Sequence, residues 1–131
     1  MGSKTKGTIA EREILHLFWK NSWACIRVAG SGSMKYPCPD LLAGNNLRKL
    51  AIECKAINDN KKYLTKPEVS DLIEFARKFG AEPWIAVKFI GNGWYFLNPE
   101  DMQINNATIS ISLEEAKKKG LSFDELIQNG K

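Results

Sequence analysis

The sequence predicts an α/β protein with a central mixed β-sheet of about five strands flanked by helices. Helix-like and strand-like segments alternate along the chain, which favours this class over an all-α or all-β fold. The 131 residues suffice for one compact domain and leave no room for a second independent core. Hydrophobic residues make up 44% and charged residues 26%, as is typical of a globular protein. We therefore expect residues 1–131 to form a single domain that carries the whole function.

Two segments carry start signals for helices. A capping box, in which a Ser or Thr is followed three residues later by Glu or Gln, occurs at Thr8 and again at Thr65. The apolar residues that follow recur at helical spacing and predict helices over residues 8–21 and 65–79. Shorter helices are expected over residues 113–119 and 123–127.

The helix predicted over residues 65–79 has an apolar face wider than packing on one sheet requires. Leu72 lies on its main apolar stripe, while Phe75 and Phe79 extend that stripe around the helix. This surplus indicates a subunit interface at Leu72, Phe75 and Phe79. Gly80 is expected to end the helix.

Runs of β-forming residues bounded by turn residues predict the strands. Two of these runs, over residues 40–43 and 49–56, flank a Gly-Asn-Asn turn and indicate a hairpin. A second pair of runs, over residues 84–90 and 94–97, flanks a Gly-Asn-Gly turn and indicates another hairpin. A loop rich in Gly and Ser covers residues 30–33. The remaining expected strands are residues 23–28 and 108–112.

Composition limits the possible partners and the cellular location. Nineteen Lys and Arg against fifteen Asp and Glu give a net charge of +4, which is compatible with a polyanionic partner but does not identify one. No apolar run approaches the roughly 20 residues needed to cross a membrane, and the start of the chain lacks a signal peptide. The widely spaced Cys25, Cys38 and Cys54 suggest neither a disulfide framework nor a zinc site. We expect a cytoplasmic protein without a membrane partner or an organic cofactor.

The third strand carries an unusual pair of charged residues. Because side chains alternate between the two faces of a strand, Leu50, Ile52 and Cys54 share one face, and Glu53 and Lys55 share the other. A solvated ion pair is the ordinary explanation of such a pair. A catalytic site is the alternative.

Asp40, after Pro39 and at the start of the neighbouring strand, adds support to the catalytic alternative, and both explanations stay open. Its carboxylate can lie beside that of Glu53, and two close carboxylates repel unless a cation lies between them. Together with a strand carbonyl and waters, these oxygens suit Mg²⁺. Lys55 beside that ion could orient the attacking water or help to deprotonate it. The reaction this pattern predicts is phosphodiester hydrolysis.

Glu11 has two mutually exclusive interpretations. It completes the capping box with Thr8, or it faces the sheet and supplies a third carboxylate to the metal site, because it shares a helical stripe with Ile14, Leu15 and Phe18.

Further positions match the pattern of one nuclease family. The matches near the start are Lys6, Gly7, Glu11, Arg12, Glu13, Arg27 and the loop 30–33. A longer match covers residues 71–80 and 86–89 and reaches Gly93 and Trp94. With Pro39, Asp40, Glu53 and Lys55, these positions make the chain resemble the archaeal Holliday junction resolvases, within the PD-(D/E)xK nuclease superfamily.

The resemblance implies a restriction-endonuclease-like nuclease fold and a homodimer that resolves four-way DNA junctions by paired, Mg²⁺-dependent cuts, with Mn²⁺ as a substitute. The implied catalytic residues are Glu11, Ser31, Asp40, Glu53 and Lys55, with Ser33 as the alternative loop serine. The implied metal ligands are Glu11, Asp40, Glu53 and the backbone carbonyl of Cys54.

DNA binding is expected at a set of basic residues. Arg12 and Arg27 resemble family arginines that support DNA binding, and the lysines lie near the expected site. The full set is Arg12, Arg27, Lys35, Lys61, Lys62 and Lys66. Two other functions remain open: a junction-binding architectural protein that does not cut, and a restriction-type or repair-type endonuclease on the same scaffold.

Overall fold

The computed structural model describes residues 3–28, 35–59, 61–102, 104–105 and 108–128. The helices are α1 (Ser3–Lys20), α2 (Lys66–Phe79), α3 (Leu113–Lys119) and α4 (Phe123–Gln128). The strands are β1 (Ala24–Arg27), β2 (Leu41–Gly44), β3 (Lys49–Ile57), β4 (Lys61–Thr65), β5 (Glu82–Phe89), β6 (Trp94–Leu97), β7 (Ile104–Asn105) and β8 (Thr108–Ser112). A 3₁₀ turn covers Pro99–Asp101. The loop 30–33, which contains Ser31 and Ser33, lies outside the described residues.

The central sheet confirms the expected fold class. Within the described ranges it has five strands in the order β1-β2-β3-β5-β6. β3 pairs in parallel with β5, and the other neighbours pair antiparallel, so the sheet is mixed. The hairpin of β2 with β3 and the hairpin of β5 with β6 are both present as predicted.

A second, small sheet joins β4, β8 and β7 in that order. The expected strand at 108–112 is therefore present, but it pairs antiparallel with β4, which the sequence did not predict. Within β4 only Leu64 is buried, so the strand has no clear apolar alternation to reveal it. Its pairing partner lies more than forty residues away along the chain.

Each face of the central sheet is covered by a separate apolar core. One core joins α1 and α4 to the sheet, and its members include Ile14, Phe18, Leu50, Ile52, Phe96 and Leu126. The other joins α2 and the small sheet to the opposite face, and its members include Ala51, Val69, Leu72, Ile85, Val87 and Ile111. The two cores hold β3 between them, which fixes the strand that carries the charged pair.

The two predicted capping boxes have different outcomes. At Thr65, the hydroxyl accepts a hydrogen bond from the Glu68 N–H at 3.2 Å, and Glu68 accepts one from the Thr65 N–H at 2.9 Å, so this box is confirmed. The box at Thr8 is wrong, because α1 already begins at Ser3 and Thr8 is an interior residue of the helix. A capping residue must have a non-helical backbone, which spacing alone does not reveal. Gly80 ends α2 in the left-handed conformation, at φ 85°, as expected.

Candidate active site

The charged pair on β3 faces α2. Glu53 and Lys55 alternate with Leu50 and Ile52, which are fully buried under the opposite face, as the alternation predicted. The side chains of Glu53 and Lys55 expose only 22% and 20% of their surface to solvent, so both are largely withdrawn from water. A pair in this position is not the fully solvated ion pair that the ordinary explanation requires.

Asp40 lies directly against this part of β3. Its N–H donates to the Ile52 carbonyl at 3.0 Å, and its Oδ2 accepts a hydrogen bond from the Cys54 N–H at 2.9 Å. The Asp40 carboxylate is thereby hydrogen-bonded to the backbone of Cys54, the residue that follows Glu53. The charge of Asp40 acts on Glu53 and raises its pKa, so the fold brings the two carboxylates near each other, as the sequence predicted.

Burial and charge raise the pKa of Glu53 to about 8. Removal from water is the larger cause, and the negative charge of Asp40 is the next, while the Lys55 ammonium acts in the opposite direction. Glu68 and Glu11 raise this pKa further. The folded chain therefore disfavours negative charge on Glu53 unless a cation is supplied.

Lys55 contacts carboxylates on two different elements. Its Nζ lies 2.8 Å from Glu68 Oε2 and 3.8 Å from Glu53 Oε2. Burial alone would lower the pKa of Lys55, but the hydrogen bond and charge of Glu68 and the charges of Glu53 and Asp40 outweigh it, so the pKa is raised. Lys55 is therefore a charged donor here. The sequence showed Glu68 only as a helix cap, and its contact with Lys55 was missed because no spacing rule links β3 to α2.

Glu11 lies near the pair but is bound to another residue. Its Oε1 accepts a hydrogen bond from Arg27 Nε at 2.8 Å, which joins α1 to β1. Its charge reaches Glu53, whose pKa it raises. In the part of the chain that the structure describes, no three His, Cys, Asp or Glu residues form a ready metal-binding group. Asp40 and Glu53 thus converge, while Glu11 is held by Arg27.

The basic residues expected to bind DNA are mostly on the surface. Arg12, Arg27, Lys35, Lys61 and Lys66 are exposed, and Lys62 is half-buried. Lys61 also lies over the ring of Tyr63, with its Nζ 5.6 Å from the ring centroid.

The expected subunit interface needs one correction. Leu72 is 3% exposed and packs in the core between α2 and the sheet, so it is not a surface residue. Its position on the main stripe makes it the residue that faces the sheet. Phe75 and Phe79 stack with centroids 5.2 Å apart, and Phe79 is 48% exposed. They border a groove with Tyr36 and Pro37.

The mixed sheet, with Asp40 directly before β2 and with Glu53 and Lys55 on the adjacent β3, is that of a restriction-endonuclease-like nuclease fold. The chain belongs to the archaeal Holliday junction resolvase family, whose model matches residues 2–131. This finding confirms the resemblance. Among the described helices, none is long and apolar enough to cross a membrane.

Relatives and a solved structure agree with this assignment. The chain is 40% identical over 129 residues to crossover junction endodeoxyribonuclease Hjc of Archaeoglobus fulgidus, covering 93% of this chain and 95% of that protein. It is 36% identical over 126 residues to Hjc of Methanocaldococcus jannaschii, covering 96% and 90%. The structure of Archaeoglobus fulgidus Hjc, a Holliday junction resolvase, matches with a TM-score of 0.86 and 36% identity over 96% of this chain and 98% of that one.

Proposed function

We propose that this chain is a crossover junction endodeoxyribonuclease that cuts four-way DNA junctions by divalent-metal-dependent hydrolysis of phosphodiester bonds. The observation that carries the proposal is the meeting of Asp40, directly before β2, with Glu53 and Lys55 on β3 in a member of the resolvase family. Residues 1–131 act as one nuclease domain, and the enzyme works on DNA in the cytoplasm.

We assign the metal as Mg²⁺, with Mn²⁺ as a substitute. The carboxylates of Asp40 and Glu53 and the backbone carbonyl of Cys54 are hard oxygen donors, which Mg²⁺ prefers. The raised pKa of Glu53 fits this role, because a cation beside Asp40 and Glu53 would offset both the burial and the repulsion by Asp40 that raise it. When bound, the ion makes water more acidic and offsets the charge that develops on the phosphate. Glu11 would join these metal ligands by giving up its ion pair with Arg27 and binding the metal instead.

The protein's own groups have distinct tasks. The Cys54 N–H orients Asp40, and two cores hold β3, so the carboxylates keep their place while DNA binds. The Lys55 ammonium donates to a phosphate oxygen or orients the attacking water, because it is charged and largely withdrawn from solvent. The loop serine, Ser31 or in the alternative alignment Ser33, contributes to the same site.

Paired cuts require two such sites, so we propose a homodimer formed through Phe75 and Phe79. Phe79 exposes a large apolar ring that a second copy would cover. Phosphate contacts position a protein without reading sequence, so selectivity for a junction would arise from the spacing and angle of the two sites. The residues proposed for phosphate contact are Arg12, Arg27, Lys35, Lys61, Lys62 and Lys66.

The test compares a labelled four-way junction with a linear duplex of the same sequence, in Mg²⁺ and in EDTA. Glu53→Gln removes one carboxylate while preserving shape, and Glu114→Gln makes the same change on the exposed surface of α3. We expect symmetric cuts confined to the junction, dependent on Mg²⁺, lost in Glu53→Gln and retained in Glu114→Gln.

The alternatives give different results in the same experiment. A protein that binds the junction in Mg²⁺ without cutting it would be architectural. Equal cutting of the linear duplex would indicate a restriction-type or repair-type endonuclease.

A further inference from the structure

The position of the Lys55 ammonium depends on a glutamate from outside its own strand. Lys55 Nζ is 2.8 Å from Glu68 Oε2, the distance of a charge-assisted hydrogen bond, and 3.8 Å from Glu53 Oε2, which is too long for one. Glu68 therefore constrains the ammonium more strongly than its neighbour on β3 does.

Glu68 is itself held rigidly at the start of α2. Its Oε1 accepts a hydrogen bond from the Thr65 N–H at 2.9 Å, and its own N–H donates to Thr65 Oγ1 at 3.2 Å. The next residue, Val69, is 5% exposed and fixes the first turn of the helix in the core. One carboxylate oxygen is thus tied to the helix start, and the other accepts from Lys55.

A capping box does not by itself need the contact with Lys55. α3 begins with the same box, in which Ser112 and Glu115 exchange hydrogen bonds of 3.1 Å. Among the ion pairs of the described residues, none involves Glu115, so the lysine is an addition specific to α2. Glu68 is 37% exposed, and a partly exposed ion pair contributes little to stability. Stability alone is therefore a weak reason for the contact.

Placement is the stronger reason. A lysine ammonium sits on a flexible four-carbon stem and adopts many positions unless a partner selects one. A group that stabilises a reacting phosphate must be held within about half an ångström of its working position. A glutamate attached to a capped, buried helix start provides that constraint.

We propose that Glu68 is the positioning residue of Lys55, which it holds at the place where the scissile phosphate binds. This inference rests on the proposed function of Asp40, Glu53 and Lys55 as a nuclease site. Glu68 acts through Lys55 and does not itself contact the DNA.

Three variants separate positioning from helix capping. Glu68→Gln preserves the box, because glutamine also accepts from the capping N–H, but it removes the charge that holds Lys55. Thr65→Ala removes the Thr65 hydroxyl from the box. Glu68 Oε1 still accepts from the N–H of residue 65, and Glu68 Oε2 still accepts from Lys55. Glu115→Gln makes the same chemical change at the box of α3.

Three quantities are measured for each variant of the 131-residue chain. The single-turnover cleavage rate of a four-way junction is measured in Mg²⁺, and the Kd for the same junction is measured in EDTA. In the DNA-free protein, the rate of acetylation of Lys55 relative to the exposed Lys78 is followed by mass spectrometry. Acetylation reports on the ion pair directly and does not require enzyme activity.

We expect Glu68→Gln to lower the cleavage rate by about tenfold or more, with a Kd within about threefold of the parent and faster acetylation of Lys55. Glu115→Gln should stay near the parent in all three measurements, and Thr65→Ala should lose less cleavage rate than Glu68→Gln, because it keeps the charge that holds Lys55. Parent-like cleavage or acetylation in Glu68→Gln would overturn the inference, as would an equal loss of rate in Thr65→Ala. If the parent does not cut junctions, the proposed function fails, and acetylation of Lys55 still decides whether Glu68 holds it.

Discussion

Replacing Glu53 with glutamine should stabilise the metal-free protein at alkaline pH. Burial, and then the charge of Asp40, raise the pKa of Glu53 from 4.5 to about 8 in the folded chain. A carboxyl group whose pKa is higher in the folded state contributes stability that is fully present below about pH 4.5 and is lost as the pH rises through about 8. Glutamine has the shape of the neutral carboxyl and loses nothing over that range.

The pKa difference sets an upper limit on the effect. Each tenfold change in a protonation equilibrium corresponds to about 1.4 kcal/mol, so a rise from 4.5 to about 8 corresponds to about 5 kcal/mol. Local relaxation reduces this value, which already includes the opposing effect of the Lys55 ammonium 3.8 Å away. We therefore expect Glu53→Gln to gain about 2 kcal/mol near pH 8.5, which for a chain of this size raises Tm by about 6 °C.

The assay is thermal and urea unfolding in EDTA at one protein concentration, at about pH 5 and about pH 8.5, with Glu114→Gln as the surface control. The difference in unfolding free energy between Glu53→Gln and the parent should be small at about pH 5 and large at about pH 8.5. The reasoning would be refuted if Glu53→Gln is less stable than the parent at the higher pH. It would also be refuted if the difference in unfolding free energy between the two proteins is the same at both pH values. Added Mg²⁺ should then stabilise the parent more than the variant, because ligands stabilise the state that binds them.

Three further changes test the fold and the dimer. Arg48→Met should cost about 2 kcal/mol in urea unfolding, because Arg48 donates to both Glu82 oxygens at 2.8 Å and to the Leu126 carbonyl at 2.7 Å. The hydrogen bonds from Arg48 lower the pKa of Glu82, so this cost should shrink as the pH falls below about 4.5, and a constant cost would contradict the argument. Phe79→Asp should convert the proposed dimer to a monomer in light scattering while the helical circular dichroism signal is retained, and an unchanged mass would exclude Phe79 from the interface. Gly80→Ala should lower the unfolding free energy by about 1 kcal/mol, because φ is 85° there, and a neutral result would show that the turn relaxes.

Local signals in the sequence were sufficient for much of the fold. Thr65, Glu68 and Gly80 mark the two ends of α2, and the turn at residues 91–93 marks the hairpin of β5 and β6. The alternation along β3 also placed Glu53 and Lys55 on one face. These features depend on neighbours a few residues apart, which a single chain displays directly.

Only the tertiary structure decided which distant residues meet. It pairs β4 with β8, binds Glu11 to Arg27, and brings Glu68 to Lys55. It also separates Leu72, which faces the sheet, from Phe79, which faces outward on the same helix.

The physical reason is that these contacts depend on how α1 and α2 are placed on opposite faces of the sheet. That placement comes from the apolar cores on the two faces, which combine residues from nearly the whole chain. The sequence by itself indicated Asp40, Glu53 and Lys55 as the candidate site and predicted the hairpin of β2 and β3 that brings them together. The packing of the helices determined which charged partner each of those residues has.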